Sequence, residues 1–184
     1  MIIDRPQYLD KLKRYKDKDL IKVITGVRRC GKSVLLFDIF YKQLIKEGVE
    51  KDHIIRINLE NEEEKHLRDS GNLFNEVAKR RKDRKRHYVF IDEIQYVKGF
   101  EDLVNSLKNS NCDVYVTGSN SQMLSGDIST ALRGRSIEIK VYPLSFAEYY
   151  AYVKGDKRTA WNEYIKYGGF PFAATEKDEQ SKIL

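Results

Sequence analysis

The chain has 184 residues, a length that fits one domain or one domain with the start of another. Hydrophobic residues make up 41% of it, enough for a core, and its 11 glycines and 3 prolines are too few for a disordered or fibrous protein. None of its apolar runs approaches the length of roughly 18–20 residues that is needed to cross a bilayer. Its N-terminus has no apolar signal segment. We therefore expect a soluble, cytoplasmic globular protein without a membrane partner.

The excess positive charge is concentrated in one segment. The chain carries 34 lysines and arginines against 28 acidic residues, a net charge of +6, and residues 79–86 (KRRKDRKR) alone hold seven basic residues and one acidic residue. Such a segment can bind nucleic-acid phosphates, but it has no interleaved aromatic residues and it directly precedes a predicted strand. We favour a solvated loop, and nucleic acid is kept as a possible partner that the sequence does not establish.

Short apolar runs alternate with helical segments along most of the chain. The apolar runs predict strands at residues 20–25, 53–58, 88–92, 113–117 and 136–141. Helices are predicted at residues 33–45, 72–81 and 100–107, and a further helix is expected to end near residue 132. Near-continuous apolar strands that alternate with helices are typical of an α/β fold in which a parallel sheet is covered on both faces.

The pattern changes after residue 142. Two aromatic helices are predicted at residues 144–153 and 160–167, followed by a Gly-Gly-Phe-Pro sequence. We therefore predict a core at residues 1–142 and a helical extension at residues 143–184. The aromatic residues of this extension are interpreted as a packing surface rather than as a binding cage.

Residues 26–33 (GVRRCGKS) match the phosphate-binding pattern G-x-x-x-x-G-K-S/T. Backbone N–H groups of such a loop surround phosphate, the lysine reaches the β- and γ-phosphates, and the hydroxyl group binds Mg²⁺. An ordinary strand–turn–helix connection is the alternative, and the flanking strand and apolar helix argue against it. We expect Lys32 to lie on an exposed loop without a packing role, and we interpret Cys30 as a small filler residue. The predicted nucleotide-binding residues are Gly26, Val27, Arg28, Arg29, Cys30, Gly31, Lys32, Ser33 and Val34.

Two carboxylates follow the third predicted strand, YVFID. Asp92 is the expected second anchor for Mg²⁺, beside Ser33. Glu93 is placed to orient and deprotonate a water that attacks the γ-phosphate. The alternative is that Glu93 is an ordinary surface glutamate.

Polar and basic residues near the last two predicted strands complete the candidate site. Asn120 follows the fourth strand, where its amide can hold the attacking water or the γ-phosphate, although turn chemistry is an alternative. Arg133 and Arg135 precede the fifth strand, and we expect them at the nucleotide end of the sheet, within reach of a neighbouring subunit's γ-phosphate. The alternative for both is a solvated helix end, which also favours cations. The histidines His53, His66 and His87 are scattered in the sequence, so we expect no metal site held by the protein alone.

The sequences GVRRCGKS, YVFIDEIQ, VTGSNSQML, LRGRSIEI and PLSFAEYY together resemble the prokaryotic predicted AAA+-superfamily ATPases with a downstream nuclease-like domain. The resemblance covers nearly the whole chain, from about Ile3 to Pro171. It implies a three-layer P-loop NTPase with a parallel five-stranded sheet in the order 5-1-4-3-2. It also implies ATP with Mg²⁺ as the ligand, an ability to form homo-oligomers, and further regions beyond residue 171.

The resemblance extends to individual residues. It implies the roles argued above for Lys32, Ser33, Asp92, Glu93 and Asn120. The family carries a glycine–arginine pair that matches Gly134 and Arg135, so Arg135 is the better candidate for an arginine finger. By analogy, the segment around Arg5 to Leu9, with Tyr8, would lie near the adenine.

The sequence therefore predicts a Mg²⁺-dependent ATPase in which Glu93 activates water. A nucleotide-gated binding module without turnover is the first alternative, because the placement of Glu93 does not establish hydrolysis. A small-molecule kinase is the second alternative, although the sequence shows neither an arginine-rich lid nor an acceptor site. GTP specificity is disfavoured because neither N-K-x-D nor T-K-x-D occurs in the chain.

Overall fold

The computed structural model describes residues 2–119, 132, 134–176, 178 and 182. Within these residues the chain forms one five-stranded sheet. Its strands are β1 (Ile21–Thr25), β2 (Ile54–Asn58), β3 (His87–Asp92), β4 (Cys112–Gly118) and β5 (Ser136–Lys140).

The strands lie in the order β2-β3-β4-β1-β5, and every neighbouring pair is parallel. This confirms the predicted α/β fold and the predicted strand order. Because all strands run the same way, their carboxyl ends share one edge of the sheet, and ligands of such sheets bind at that edge. We call it the carboxyl edge, and we call the edge where the strands begin the amino edge.

The helices flank this sheet. Residues 32–46 form a continuous helical segment of three pieces, in which α2 (Lys32–Val34) leads into a π-helix (Leu35–Phe40) and then α3 (Tyr41–Lys46). The predicted helix that ends near residue 132 falls mostly on residues that are outside the described ranges. The remaining helices are α1 (Pro6–Tyr15), α4 (Ser70–Arg80), α5 (Phe100–Asn109), α6 (Phe146–Val153), α7 (Lys157–Tyr167) and α8 (Pro171–Thr175), with 3₁₀ turns at Lys51–His53, Glu62–Arg68 and Ile94–Tyr96.

Two apolar clusters lie on opposite faces of the sheet, and β3 shows how its residues divide between them. Val89 and Ile91 belong to the cluster formed with α4 and α5. Phe90, between them, belongs to the cluster formed with α1 and the 32–46 segment. Side chains alternate across a strand, so a fully apolar strand buries both of its faces. The result is the three-layer architecture that the sequence predicts.

A third apolar cluster joins the helical extension to the N-terminal segment. Its buried members include Ile3, Leu144 and Tyr149, and several aromatic side chains of α6 and α7 pack against them. Helix α6 begins with a capping box, in which Ser145 and Glu148 satisfy each other's backbone N–H groups. In the described part of the chain, no helix has the length and apolar character needed to cross a bilayer.

Candidate nucleotide-binding site

The loop between β1 and α2 depends on two glycines. Gly26 has a φ of 149°, and a Cβ built there would lie 2.2 Å from the carbonyl oxygen of Val141. Gly31 has a φ of 96° and occupies the left-handed position directly before α2. A side chain at either position would be strained, so the glycine spacing of the motif is required by backbone geometry.

Lys32 is held against this loop. Its Nζ atom donates hydrogen bonds to the carbonyl oxygens of Gly26 and Val27, each at 3.1 Å. Its side chain is only 4% exposed, so the expectation of an exposed lysine is wrong. These two hydrogen bonds keep the ammonium group beside the loop backbone.

The other loop residues divide into exposed and buried positions. Val27, Arg28 and Arg29 are exposed, and Arg28 lies 3.3 Å from the Glu60 carboxylate. Cys30 is buried, and burial raises the pKa of its thiol, which keeps the thiol neutral. This environment agrees with the interpretation of Cys30 as a packing residue.

Asp92 ends β3 at the carboxyl edge and is 3% exposed. The Thr117 hydroxyl donates a hydrogen bond to its carboxylate, and the Ser33 side chain lies nearby. Burial raises the pKa of Asp92, and the negative charge of Glu93 adds to that effect. A bound cation would offset this cost of the charged form, and a hard oxygen donor set of this kind suits Mg²⁺.

Glu93 adopts the left-handed backbone conformation, with φ 54° and ψ 51°. Its backbone N–H donates to Thr117 Oγ1 at 3.0 Å, and Ser119 Oγ donates to its Oε2 atom at 2.9 Å. Gln95 Nε2 also donates to Oε2. Left-handed backbone at a non-glycine residue costs about 1–3 kcal/mol and clusters at functional sites. The surrounding contacts fix this carboxylate, which is 7% exposed, beside Asp92.

Thr117 connects the two carboxylates, and the sequence did not reveal it as a site residue. Its hydroxyl donates to Asp92 and accepts from the backbone N–H of Glu93. The signal that could have found it is positional, because β4 lies beside β3 and a polar residue near its carboxyl end must approach Asp92. Thr117 is completely buried, so neither hydrogen bond competes with water.

A mostly apolar cavity of about 190 Å³ adjoins the phosphate loop. Its wall comes from the N-terminal segment, from the loop and the start of the 32–46 segment, and from the helical extension. The residues around it include Ile3, Arg5, Gly31, Val34, Leu144 and Phe172.

Arg5 is buried, and it joins the three segments that surround this cavity. Its guanidinium group donates to Glu148 Oε1 at 2.7 Å, to the Tyr142 carbonyl oxygen at 2.8 Å and to the Cys30 carbonyl oxygen at 3.3 Å. Tyr8 lies behind it, with its ring centroid 4.6 Å from the guanidinium carbon and its hydroxyl accepting from the Tyr142 backbone N–H. Of residues 5–9, Arg5 lines the cavity. Tyr8 does not line it and instead packs against Arg5 on the side of the core.

Arg135 lies at the amino edge, and the expectation that it lies at the nucleotide end of the sheet is wrong. It directly precedes β5, and its carbonyl oxygen accepts from the backbone N–H of Ile21, the first residue of β1. The phosphate loop follows the last residue of β1, at the other edge. Residues that lead into a parallel strand must lie opposite the residues that leave it. The other two predicted residues, Asn120 and Arg133, are outside the described residues.

Residues 18–150 match a family model described as an AAA domain. An uncharacterised protein of Haemophilus influenzae is 41% identical over 177 residues, which cover 92% of this chain and 44% of that protein. An uncharacterised protein of Methanocaldococcus jannaschii is 35% identical over 175 residues, which cover 88% of this chain and 38% of that protein. The chain thus spans less than half of the length of these relatives.

Solved structures share the fold at low sequence identity. A Walker-type ATPase of Pyrococcus abyssi superposes with a TM-score of 0.63 at 18% identity, covering 94% of this chain and 65% of that one. Hsp104 of Saccharomyces cerevisiae, solved with casein, gives 0.58 at 15% identity and 90% and 31% coverage. The Orc1 protein of Aeropyrum pernix, in complex with DNA, gives 0.53 at 14% identity and 89% and 50% coverage. Because the family model spans most of the chain, the chain belongs to the AAA domain family.

Proposed function

We propose that this protein binds ATP together with Mg²⁺ and hydrolyses it, with Glu93 as the general base. The observation that carries the proposal is the arrangement at the carboxyl edge. There, Thr117 joins the Asp92 carboxylate to the backbone of Glu93, and Ser33 of the phosphate loop lies near Asp92. The family supports nucleotide binding, and hydrolysis by these residues is our inference from their placement.

The phosphate loop supplies the groups that would hold the ATP phosphates. Lys32 already lies beside the loop backbone, where its ammonium group donates to two carbonyl oxygens. On ATP binding it exchanges these neutral acceptors for charged phosphate oxygens, which form stronger, charge-assisted hydrogen bonds. Backbone N–H groups of the loop and of the following helix add positive potential at the same place.

Ser33 and Asp92 are the residues that would hold Mg²⁺. Both offer oxygen atoms, the ligand type that Mg²⁺ prefers. When bound, Mg²⁺ neutralises negative charge on the phosphates of the nucleotide. The hydroxyl of Thr117 keeps the Asp92 carboxylate in one orientation toward Ser33.

Glu93 acts on the attacking water. Its carboxylate accepts a proton from the water as the water oxygen forms a bond to the γ-phosphorus. The bond from that phosphorus to the oxygen of the departing ADP breaks in the same displacement. The hydrogen bonds from Ser119 and Gln95 hold the carboxylate in place for this transfer. We keep Asn120 as a proposed partner that positions the same water.

The apolar cavity beside the loop suits the adenine ring. Its size and its position against Gly31 and Val34 support our proposal that a planar apolar base binds there, next to the phosphates. Arg5 contacts this cavity and the loop carbonyl of Cys30, and Tyr8 supports Arg5 from behind. These residues would determine how the base and the phosphates are held relative to each other.

We further propose that hydrolysis is coupled to a partner that acts with this module. One structural neighbour was solved with DNA and another with casein, and the likeness to both concerns the fold. The partners that we propose are nucleic acid and further copies of the same chain.

The substitution Glu93→Gln tests the mechanism, because it removes one charge and almost no volume. Lys32, Ser33 and Asp92 are unchanged, so we expect ATP to bind at least as tightly as to the parent. We expect the rate of phosphate release to fall by about 10²–10⁴-fold, the usual contribution of a general base. ATP binding is measured by calorimetry and hydrolysis by steady-state phosphate release, with the exposed Glu62→Gln as the matched control.

Other outcomes would contradict specific parts of the proposal. If Glu93→Gln keeps more than about a tenth of the parental rate, Glu93 is not the base. If the parent binds ATP without releasing phosphate, the protein is a nucleotide-gated binding module. If phosphate passes to an added acceptor molecule rather than to water, the protein is a kinase.

A further inference from the structure

Two histidines and one aspartate meet at the amino edge, on the opposite side of the sheet from the phosphate loop. His53 directly precedes β2, and His87 is the first residue of β3. Because β2 and β3 are parallel neighbours, the residues at their starts are brought together. Asp83 lies in the connection from α4 to β3. The expectation that the histidines are scattered is therefore wrong for this pair, since strand pairing joins residues that are distant in sequence.

The donor atoms of these three residues are close to one another. His53 Nε2 lies 3.1 Å from Asp83 Oδ2, and the two imidazole rings are 4.6 Å apart between centroids. One ligand atom from each residue can be chosen so that all three lie within 4.8 Å. Bonds of about 2.0–2.1 Å place the donor atoms of a tetrahedral zinc site about 3.3 Å apart. Small side-chain rotations would bring this cluster to that spacing.

The hydrogen bonds of His87 identify which of its nitrogen atoms is free of a proton. Its Nδ1 atom lies 2.9 Å from the Lys85 carbonyl oxygen, which can only accept, so Nδ1 carries the proton. Its Nε2 atom is therefore unprotonated and accepts from the Lys82 backbone N–H at 3.1 Å, a hydrogen bond that a metal bound to Nε2 would replace. Metal-binding histidines usually donate their other ring N–H to a backbone carbonyl in this way.

Two of the nearby positive charges lie beside acidic residues. Lys82 Nζ lies 3.3 Å from Asp52 and 3.5 Å from Glu50. Arg86 lies 3.8 Å from the buried carboxylate of Asp113. A second carboxylate contact is available to His53, since Glu50 Oε2 lies 3.8 Å from its Nδ1 atom. The side chains of Lys82 and Arg86 therefore lie beside carboxylates near this cluster.

We propose that His53, Asp83 and His87 bind a divalent transition-metal ion, with Zn²⁺ as the principal candidate. Two imidazoles and one carboxylate are ligands that zinc accepts, and they leave a fourth position for water. This site is separate from the Mg²⁺ site that we propose, because Mg²⁺ prefers oxygen ligands and phosphate. Its effect would be structural, because the ion would link Asp83 in the connection at residues 81–86 to His53 and His87 at the starts of β2 and β3.

Cobalt is a spectroscopic probe for this site. The purified chain is titrated with Co²⁺ without nucleotide, and the visible absorption of four-coordinate Co²⁺ is recorded. We expect one equivalent to bind and Zn²⁺ to displace it. We expect Asp83→Asn and His53→Gln to weaken Co²⁺ binding at least about tenfold, since even the loss of a residue that only orients a metal ligand costs about 10–100-fold. The control is His66→Gln, which removes a histidine outside the cluster and should bind as the parent does.

A second measurement guards against loss of folding. At equal Zn²⁺ concentration, the melting temperature should rise more for the parent and for His66→Gln than for Asp83→Asn, because an ion that binds the native state more tightly stabilises it more. Asp83 is partly exposed, so Asp83→Asn should leave the nucleotide-free melting temperature close to that of the parent. The proposal is overturned if the parent binds no stoichiometric Co²⁺, or if Asp83→Asn and His53→Gln bind it as tightly as the parent.

Discussion

At the scale of single residues, the hydroxyl of Thr117 organises the candidate catalytic site. It donates to Asp92 and accepts from the backbone of Glu93, so one buried oxygen fixes both carboxylate-bearing residues. Neither residue can shift without breaking a hydrogen bond that water cannot replace. A buried donor or acceptor left without its partner costs about 1–3 kcal/mol.

The substitution Thr117→Val tests this role while keeping the shape of the side chain. We expect kcat for ATP hydrolysis to fall about tenfold or more, because the Glu93 backbone loses its acceptor and Asp92 loses its donor. We also expect the free energy of unfolding to fall by about 1–3 kcal/mol. Phosphate release and urea unfolding measure the two effects.

Thr117→Ser is the matched control, since it keeps the hydroxyl and removes only a methyl group. It should retain kcat within a few-fold of the parent. A parental kcat in Thr117→Val would show that Asp92 and Glu93 are oriented without this hydroxyl.

The sequence predicted the acidic residues of this site but not the residue that joins them. Asp92 and Glu93 stand out because carboxylates directly follow an apolar strand. Thr117 does not, because a threonine in a β-branched run is an ordinary strand residue. The burial of Lys32 was also missed, since the motif defines its chemistry and not the path of the loop around it.

At the scale of secondary-structure elements, a buried ion pair joins β1 to β4 near the amino edge. Lys22 and Asp113 are both completely buried and in direct contact. Tyr115 Oη and the backbone N–H of Asp17 each donate to Asp113 Oδ2 at 2.9 Å. Burial lowers the pKa of Lys22, and the charge of Asp113 opposes that shift. The pair therefore depends on both of its members being present.

We expect Asp113→Asn to lower the free energy of unfolding by about 3–5 kcal/mol, because it leaves the buried ammonium group of Lys22 without a counter-charge. Adding Lys22→Met to that variant should recover part of the loss, since the double variant buries no lone charge. Urea unfolding of the parent, both single variants and the double variant measures the coupling. Losses that simply add in the double variant would contradict a direct interaction between the two charges.

The strands were easier to predict than the helices. The run at residues 88–92 differs from β3 by a single residue, because continuous apolar β-branched sequence leaves little freedom at either end. The π-helix at Leu35–Phe40 could not be predicted, since its buried residues fit the periodicity of an ordinary helix. Helix α1 was missed because most of its residues are charged or polar. Only Tyr8 and Leu12 are buried, which is too few apolar residues to form a recognisable helical periodicity.

At the scale of the whole molecule, the sheet separates the nucleotide site from Arg135. The phosphate loop leaves β1 at the carboxyl edge, and Arg135 leads into β5 at the amino edge. An arginine at the amino edge does not reach the nucleotide of its own chain across the length of a strand. In an assembly of several copies, the same position can face the nucleotide of a neighbour.

We therefore predict that Arg135 acts between subunits. Arg135→Ala should bind ATP as the parent does but hydrolyse it about 10³–10⁵-fold more slowly in the assembled state, the usual effect of losing an arginine finger. Mixing it with Glu93→Gln should restore part of the activity, because some interfaces then combine an intact Glu93 with an intact Arg135. Phosphate release from each variant and from the mixture measures the rescue.

The control for this experiment is Arg158→Ala, which removes an exposed arginine of α7. Its activity should match that of the parent, alone and in mixtures. Mixtures that co-assemble, as judged by sedimentation, and yet show no rescue would exclude a finger acting between subunits.

The contact between Gly26 and Val141 makes the phosphate loop inseparable from the segment that leaves β5. The Val141 carbonyl oxygen occupies the space of any Cβ at position 26, and the Val141 backbone N–H donates to the Thr25 carbonyl oxygen at 2.7 Å. The first glycine of the loop is thus in direct backbone contact with the segment that leads into α6. We expect any shift of Gly26 on phosphate binding to move Val141 as well, because their backbone atoms are in direct contact. The motif therefore connects the candidate phosphate site to the helical extension through this backbone contact.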